Sequence, residues 1–242
     1  MKLTPDVFIT GRSFLEDEVK GKTVIVIDVL RAASTIITAL QNGSKGIIAV
    51  EDMGTAGRIA QNLDSSSYLL CGEKDGEKIE DYHLGNSPVE YEESVVKGKT
   101  LIFSSTNGTP TLVRCSGAKE VIIGSFLNAK AVTDYLRTID NEIIFVCSGW
   151  KSRLSFEDTL CAGYMLHQLV GTVLPVSSPD GACVAFALYQ QFGSDITDSV
   201  KNSNHAERLR KLGFEQDIDY CCQTDISDCI PVMEDGVIVR KL

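Results

Sequence analysis

The chain has 242 residues, 43% hydrophobic and 23% charged, with 23 basic against 33 acidic side chains and a formal net charge of −10. That length supports a sizeable core, and the charge has the wrong sign for a nucleic-acid face, which needs clustered Lys and Arg. No apolar run approaches a membrane span, MKLTPDVFIT lacks the apolar centre of a signal peptide, and eight cysteines without a CxxC pair read as reduced thiols in a cytoplasmic protein rather than as a zinc site.

The first apolar run, Thr23–Asp28 (TVIVID), is apolar nearly throughout, as strands covered on both faces are. It predicts a strand that delivers Asp28 and Arg31 into a helix over Arg31–Asn42. A strand over Gly46–Val50, a helix over Gly54–Asn62 and a strand over Tyr68–Cys71 follow, the last delivering Glu73 and Lys74. LGNSPVEY (Leu84–Tyr91) predicts a helix start over Pro88–Val96, with Ser87 as cap, Pro88 in the first position and Glu90 closing a capping box. Asn86 stands outside that scheme, available to a ligand or to a left-handed turn.

A strand over Thr100–Ser104 leads into SSTNGTP and a helix over Pro110–Cys115. In that turn Asn107-Gly108 tolerates positive φ and Thr109 can cap. Backbone N–H groups of Ser105, Thr106, Asn107 and Gly108 can then converge on phosphate or sulfonate oxygens, although a plain strand–turn–helix connection explains the same letters. Next come a strand over Glu120–Ile123, a helix over Ala129–Thr138 and a strand over Ile143–Cys147. CSGWKSR (Cys147–Arg153) follows, then helices over Phe156–Val170, Gly181–Phe192, His205–Leu212 and Glu215–Cys222. A hairpin pairs Ile230–Met233 with Val237–Val239. STIITALQNGSKGIIAV and GTPTLVRCSGAKEVIIG (Ser34–Val50 and Gly108–Gly124) echo each other, either as two similar αβ units or, as we prefer, through ordinary helix C-cap chemistry.

This alternation predicts one α/β domain over residues 1–242, a three-layer α/β/α sandwich with a largely parallel or mixed sheet. Ligands of such sheets bind beyond the carboxyl ends of the strands. Asp28, Glu73 and Asp158 stand there as candidate ligands of Mg²⁺, which takes oxygen donors and keeps waters. Each also has a structural explanation: a capped turn for Asp28, a solvated loop for Glu73, and an S-x-x-D capping box from Ser155 for Asp158. Lys151 and Arg153 are candidate anion contacts. CSGWKSR also fits the C-x5-R pattern of cysteine-dependent phosphatases, with Cys147 as nucleophile and Arg153 on the phosphate. A buried Cys ending a strand is the plainer reading. His83 and His205 can act as proton donors, but nothing in the sequence raises either above background.

IDVLRAAST (Ile27–Thr35), GEKDGEK with LGNSPVEY, SSTNGT, CSGWKSRLSFEDTLCAG (Cys147–Gly163) and SNHAERLRKLGFEQDIDYCC resemble, in order, the motifs of the 2-phosphosulfolactate phosphatases. The resemblance implies Mg²⁺ dependence and hydrolysis of (2R)-2-phospho-3-sulfolactate to 3-sulfolactate and phosphate, a step towards coenzyme M. It points to Asp28, Arg31, Glu73, Asn86, Ser105, Thr106, Asn107, Glu157 and Asp158. The expected partner is a small phosphorylated and sulfonated anion, with no nucleic acid and no membrane; a homodimer is left open. The rival readings are a cysteine phosphatase using Cys147 and Arg153, and a non-catalytic binder of such a metabolite.

Overall fold

The computed structural model describes residues 4–241; the first three residues of the N-terminal stretch read above and the last residue lie outside it. In chain order the strands are β1 (Asp6–Phe8), β2 (Thr23–Ile27), β3 (Gly46–Ala49), β4 (Tyr68–Lys74), β5 (Glu77–Lys78), β6 (Thr100–Ser104), β7 (Glu120–Gly124), β8 (Ile143–Cys147), β9 (Pro231–Glu234) and β10 (Val237–Arg240). The helices are α1 (Ala32–Gln41), α2 (Met53–Ala60), α3 (Glu93–Val96), α4 (Gly108–Arg114), α5 (Ala129–Leu136), α6 (Phe156–Val170), α7 (Asp180–Phe192), α8 (Ile196–Lys201), α9 (Asn204–Lys211) and α10 (Glu215–Cys221). None is long and apolar enough to cross a membrane.

The strands of the described residues form one mixed sheet in the order β1-β8-β2-β7-β9-β10-β3-β6-β4-β5. β1, β8, β2 and β7 are mutually parallel, as are β3, β6 and β4. The hairpin β9–β10 stands between the two groups, antiparallel to both neighbours, so the groups run in opposite directions. In a flat sheet their carboxyl ends would lie at opposite edges. Residues following β2 and β6 nevertheless line one cavity, so the sheet must twist and coil strongly between them.

The sequence echo belongs to this layout. α1 carries the chain from β2 across to β3, and α4 carries it from β6 back to β7. Both segments are crossovers between the two parallel groups.

All five residues of β2 are buried, and they alternate between two cores. Ile25 and Ile27 pack with Phe145 and with Leu160 and Met165 of α6. Val24 and Val26 pack with Ile36 and Ile37 of α1 and with Leu112 of α4. A smaller cluster lies under α2, around Ala56, Ala60 and Ile102. Helices therefore cover both faces, as the apolar strands required. Burying each Ile or Val of β2 contributes roughly 1.5–3 kcal/mol, which fixes the strand that leads to Asp28.

Three local expectations change. β4 runs on to Lys74 and turns through Asp75-Gly76, both at positive φ, into β5, a two-residue hairpin of the kind Asp-Gly favours. The helix expected over Pro88–Val96 is a single 3-10 turn, Pro88–Glu90, followed by the short α3. Its capping box is absent. Ser87 Oγ donates to Asp217 (2.6 Å) and Glu90 accepts from the Gly85 N–H (2.9 Å), so tertiary partners have taken both side chains.

Candidate active site

β2 ends in the core and releases the chain at Asp28, which is 7% exposed. Oδ1 accepts the Ala32 N–H at 3.2 Å, a capping contact at the start of α1. Oδ2 faces Gly108: a Cβ on that glycine would lie 2.8 Å from Oδ2 and 2.7 Å from Ala32 Cβ. Gly108 is thus dictated by close approach, and the positive φ that Asn107-Gly108 tolerates is not adopted there. Burial raises the Asp28 carboxyl to about 6; His205 and the Ala32 N–H pull it down, while Glu73 and Glu157 push it further up.

Arg31 is held from several sides. Nη1 pairs with Asp217 at 2.7 Å, both side chains being 2% exposed. Nη2 donates to the Gly76 carbonyl at 2.7 Å, and the guanidinium lies 4.1 Å above the Phe214 ring. Asp217, on α10, also accepts the Ser87 hydroxyl. The C-terminal helices are therefore tied directly to the first strand's loop.

Glu73 comes from β4, whose backbone meets β6 closely at Gly72. There φ is +142° and a Cβ would fall 2.1 Å from the Ser104 carbonyl oxygen, so only glycine fits. Both Glu73 oxygens are engaged, accepting the Thr106 N–H (2.6 Å), the Gly76 N–H (2.6 Å) and the Thr106 hydroxyl (3.0 Å). Ser105 and Thr109 exchange backbone-to-hydroxyl bonds at 3.1 and 3.0 Å. The N–H groups of Asn107 and Gly108 keep no internal acceptor among the described residues, which leaves them for an anion. Asn86 is 5% exposed and its Oδ1 is buried without a partner.

At the end of β8 the chain turns tightly, Trp150 and Arg153 exchanging backbone hydrogen bonds at 3.0 Å. α6 then begins with two buried carboxylates. Asp158 accepts the N–H groups of Val29 (2.9 Å) and Gly149 (3.1 Å), clamping the β2 and β8 loops together. Burial, with Asp28 and Glu157 nearby, raises its carboxyl despite those two bonds. Glu157 Oε1 lies 2.7 Å from His205 Nδ1. Burial works to raise Glu157, but the His205 contact, helped by hydrogen bonds at the start of α6, holds the carboxyl below its usual value. The His205 ring stacks on Trp150, with centroids 5.1 Å apart.

These groups converge on a cavity of about 380 Å³, the size of a small-metabolite pocket. Of the expected residues it is lined by Asp28, Arg31, Glu73, Asn86, Ser105, Thr106, Asn107 and Lys151. Gly108 backs Asp28. Asp158 and Arg153 do not line it: Asp158 is spent on two backbone donors, and Arg153 faces a neighbouring cavity that shares Trp150 and His205. The cavity also takes Asp75, Glu77, Trp150, His205 and Arg208, of which Asp75, Glu77 and Arg208 were not expected. Among the described residues no three His, Cys, Asp or Glu side chains group tightly enough to hold a metal ion by themselves.

The Cys147/Arg153 reading does not survive the geometry. Cys147 is fully buried in the core of β8 and α6, and burial with the Asp158 charge pushes its thiol well above the ordinary range. A nucleophilic cysteine needs the opposite surroundings.

The family described as 2-phosphosulpholactate phosphatase matches residues 9–236. Proteins named "Probable 2-phosphosulfolactate phosphatase" are similar along nearly the whole chain. That of Caldanaerobacter subterraneus subsp. tengcongensis is 38% identical over 95% of this chain and 95% of its own. Those of Caldicellulosiruptor saccharolyticus and Thermotoga maritima are 41% and 38% identical, covering 89% and 92% of this chain and 90% and 94% of theirs.

Proposed function

The chain belongs to the 2-phosphosulpholactate phosphatase family, and on that premise we propose that it hydrolyses (2R)-2-phospho-3-sulfolactate to 3-sulfolactate and phosphate with Mg²⁺ as cofactor. The observation that carries this reading is a single polar meeting point. The buried oxygens of Asp28 and Asn86 belong to residues lining a cavity whose wall also includes Asn107, with an unused N–H. Oxygen acceptors on one side and N–H donors on the other suit a cation and an oxyanion together.

Asp28 would hold the Mg²⁺ together with Glu73, which unlike Asp158 lines the cavity and whose Oε1 accepts a single N–H and so keeps a lone pair, with the Asn86 carbonyl as a third oxygen. An underpartnered acidic carboxylate and an orphaned amide oxygen are the donor types a hard cation takes. Two or three protein oxygens suffice, because phosphate oxygens and waters complete such sites. When bound, the ion supplies positive charge against the phosphoryl oxygens.

The chain's own groups do the rest. The Asn107 N–H receives a phosphoryl oxygen as charge develops on it. Glu73 fixes Thr106 and Gly76, and so the shape of the turn. Asp158 positions Val29 and Gly149 and is a brace in this scheme, not a ligand. Arg31 is oriented by Asp217 and adds positive charge at the cavity wall. Lys151 and Arg208 are the cations left for the substrate's carboxylate and sulfonate; Lys151 lies 4.7 Å from the Trp150 ring centroid. All eight cysteines are unpaired, which supports a reducing, cytoplasmic setting.

The reading is tested by phosphate release from 2-phosphosulfolactate, with Cys147→Ser alongside the wild type. We expect release by both, at rates within about threefold of each other. Loss of turnover in Cys147→Ser with the fold intact would revive a thiol mechanism. Ligand-induced thermal stabilisation without phosphate release would identify a binder.

A further inference from the structure

We propose that His205 donates the proton that the departing alcohol oxygen needs, and that Glu157 is the positioning residue that aims it. The inference rests on the phosphatase reading above and adds a catalytic group to that site.

α9 brings His205 to the cavity from the far end of the chain, and Ser203 caps that helix by accepting the Ala206 N–H at 3.1 Å. The ring is held on an edge and on a face. Nδ1 meets Glu157 Oε1 at 2.7 Å, and one face stacks on Trp150 with an interplanar angle of 19°. Glu157 is 1% exposed, and its Oε2 has no partner among the described residues. A buried carboxylate on Nδ1 fixes the tautomer and provides the counter-charge when the ring carries two protons. Nε2 makes no hydrogen bond among the described residues, and His205 lines the same cavity as Asp28, Asn107 and Arg208.

The chemistry calls for such a group. The substrate is an alkyl phosphate, and an alkoxide is a poor leaving group unless protonated as it departs. The other cavity cations suit the task badly. Arg31 is locked to Asp217 and cannot give up a proton at neutral pH, Arg208 shares that limit, and Lys151 is exposed with no hydrogen-bond partner among the described residues to aim it. In the step, the P–O bond to the alcohol breaks and its electron pair stays on that oxygen. The proton on His205 Nε2 goes to it, giving the alcohol. The oxygen of a water forms the new bond to phosphorus, and one water proton leaves to solvent. The imidazole regains its proton from solvent, so ester and water become alcohol and hydrogen phosphate.

A merely structural histidine, present to neutralise Glu157, would affect all substrates alike. A proton donor matters in proportion to how badly the leaving group needs the proton. The test therefore uses a panel of phosphomonoesters from 2-phosphosulfolactate to 4-nitrophenyl phosphate, assayed with Mg²⁺ on the wild type and on His205→Asn. Asn places an amide N–H near the position of Nδ1–H and can keep the Glu157 contact. If it does not fold, as judged by Tm, His205→Gln replaces it.

We expect kcat on 2-phosphosulfolactate to fall roughly 10²–10³-fold, and kcat on 4-nitrophenyl phosphate to fall less than about fivefold. The dependence of rate on leaving-group basicity should steepen accordingly. Glu157→Gln should show the same selectivity with a smaller loss. Equal losses on alkyl and aryl esters, or none on either, would overturn the role of His205 while leaving the phosphatase reading intact. Absence of phosphate release by the wild type from every ester would instead bring down that reading and this inference with it.

Discussion

Replacing Asp28 by Asn is expected to abolish most activity while making the metal-free protein more stable above pH 6. The carboxylate is 7% exposed and has one backbone donor, so ionisation inside the fold is costly. Its carboxyl is held up at about 6, against 3.8 for the free group. The folded state therefore binds this proton more tightly than the unfolded chain. On this group's account stability is greatest below pH 4, falls as pH rises from 4 to 6, and stays lowered above that. The lasting penalty is about 3 kcal/mol, from 1.36 kcal/mol per unit. Asn cannot ionise and escapes it. Scanning calorimetry in chelator at pH 8 should show Asp28→Asn melting several degrees above the wild type, and the difference should vanish near pH 4. Added Mg²⁺ should raise the Tm of the wild type and leave the variant unmoved. Phosphate release should drop roughly 10³-fold, the scale of losing one preorganised charge stabiliser. A variant that is less stable at pH 8 and still fully active would show Asp28 to be only a cap for α1.

The second large effect is on folding. Asp217→Ala strands the Arg31 guanidinium, which is 2% exposed and keeps only the Gly76 carbonyl and the Phe214 ring. It also leaves the Ser87 hydroxyl without its acceptor. Removing one partner of a buried pair costs roughly 3–5 kcal/mol, a Tm loss of at least about 6 °C for a chain of this size. Because the penalty comes from an unpaired charge, adding Arg31→Met should recover much of the stability. Activity should not return, since the cavity wall then lacks its cation. A double variant as unstable as Asp217→Ala alone would trace the loss to packing instead of charge.

How far the sequence led differs from residue to residue. Asp28, Arg31, Glu73 and the Ser105–Gly108 turn could be placed because each follows a short run of β-branched residues, and strand ends are where α/β sheets bind ligands. His205, Arg208 and Asp217 could not. They lie on amphipathic helices whose letters look like solvated faces, and only the docking of α9 and α10 over the cavity gives them partners. The sheet order was hidden for a related reason. The β9–β10 hairpin was legible from Asp235-Gly236, but its place between the two parallel groups depends on single register contacts with β7 and β3.

Asp75-Gly76 carried the same hairpin signal for β5, and a run of charges obscured it. Ser87 and Glu90 matched a capping box, yet a buried aspartate and a backbone N–H outcompeted the local bonds. For Asp158 the capping reading was half right. Ser155 Oγ accepts the Asp158 N–H at 3.2 Å, while the Asp158 carboxylate leaves the helix to clamp two loops.

The most direct test of the central claim is phosphate release from 2-phosphosulfolactate by the purified chain, in Mg²⁺ and again with excess EDTA. We predict turnover that Mg²⁺ sustains, EDTA abolishes and re-added Mg²⁺ restores. Turnover indifferent to EDTA would contradict the metal site built on Asp28 and Glu73, and no release under either condition would contradict the phosphatase assignment itself.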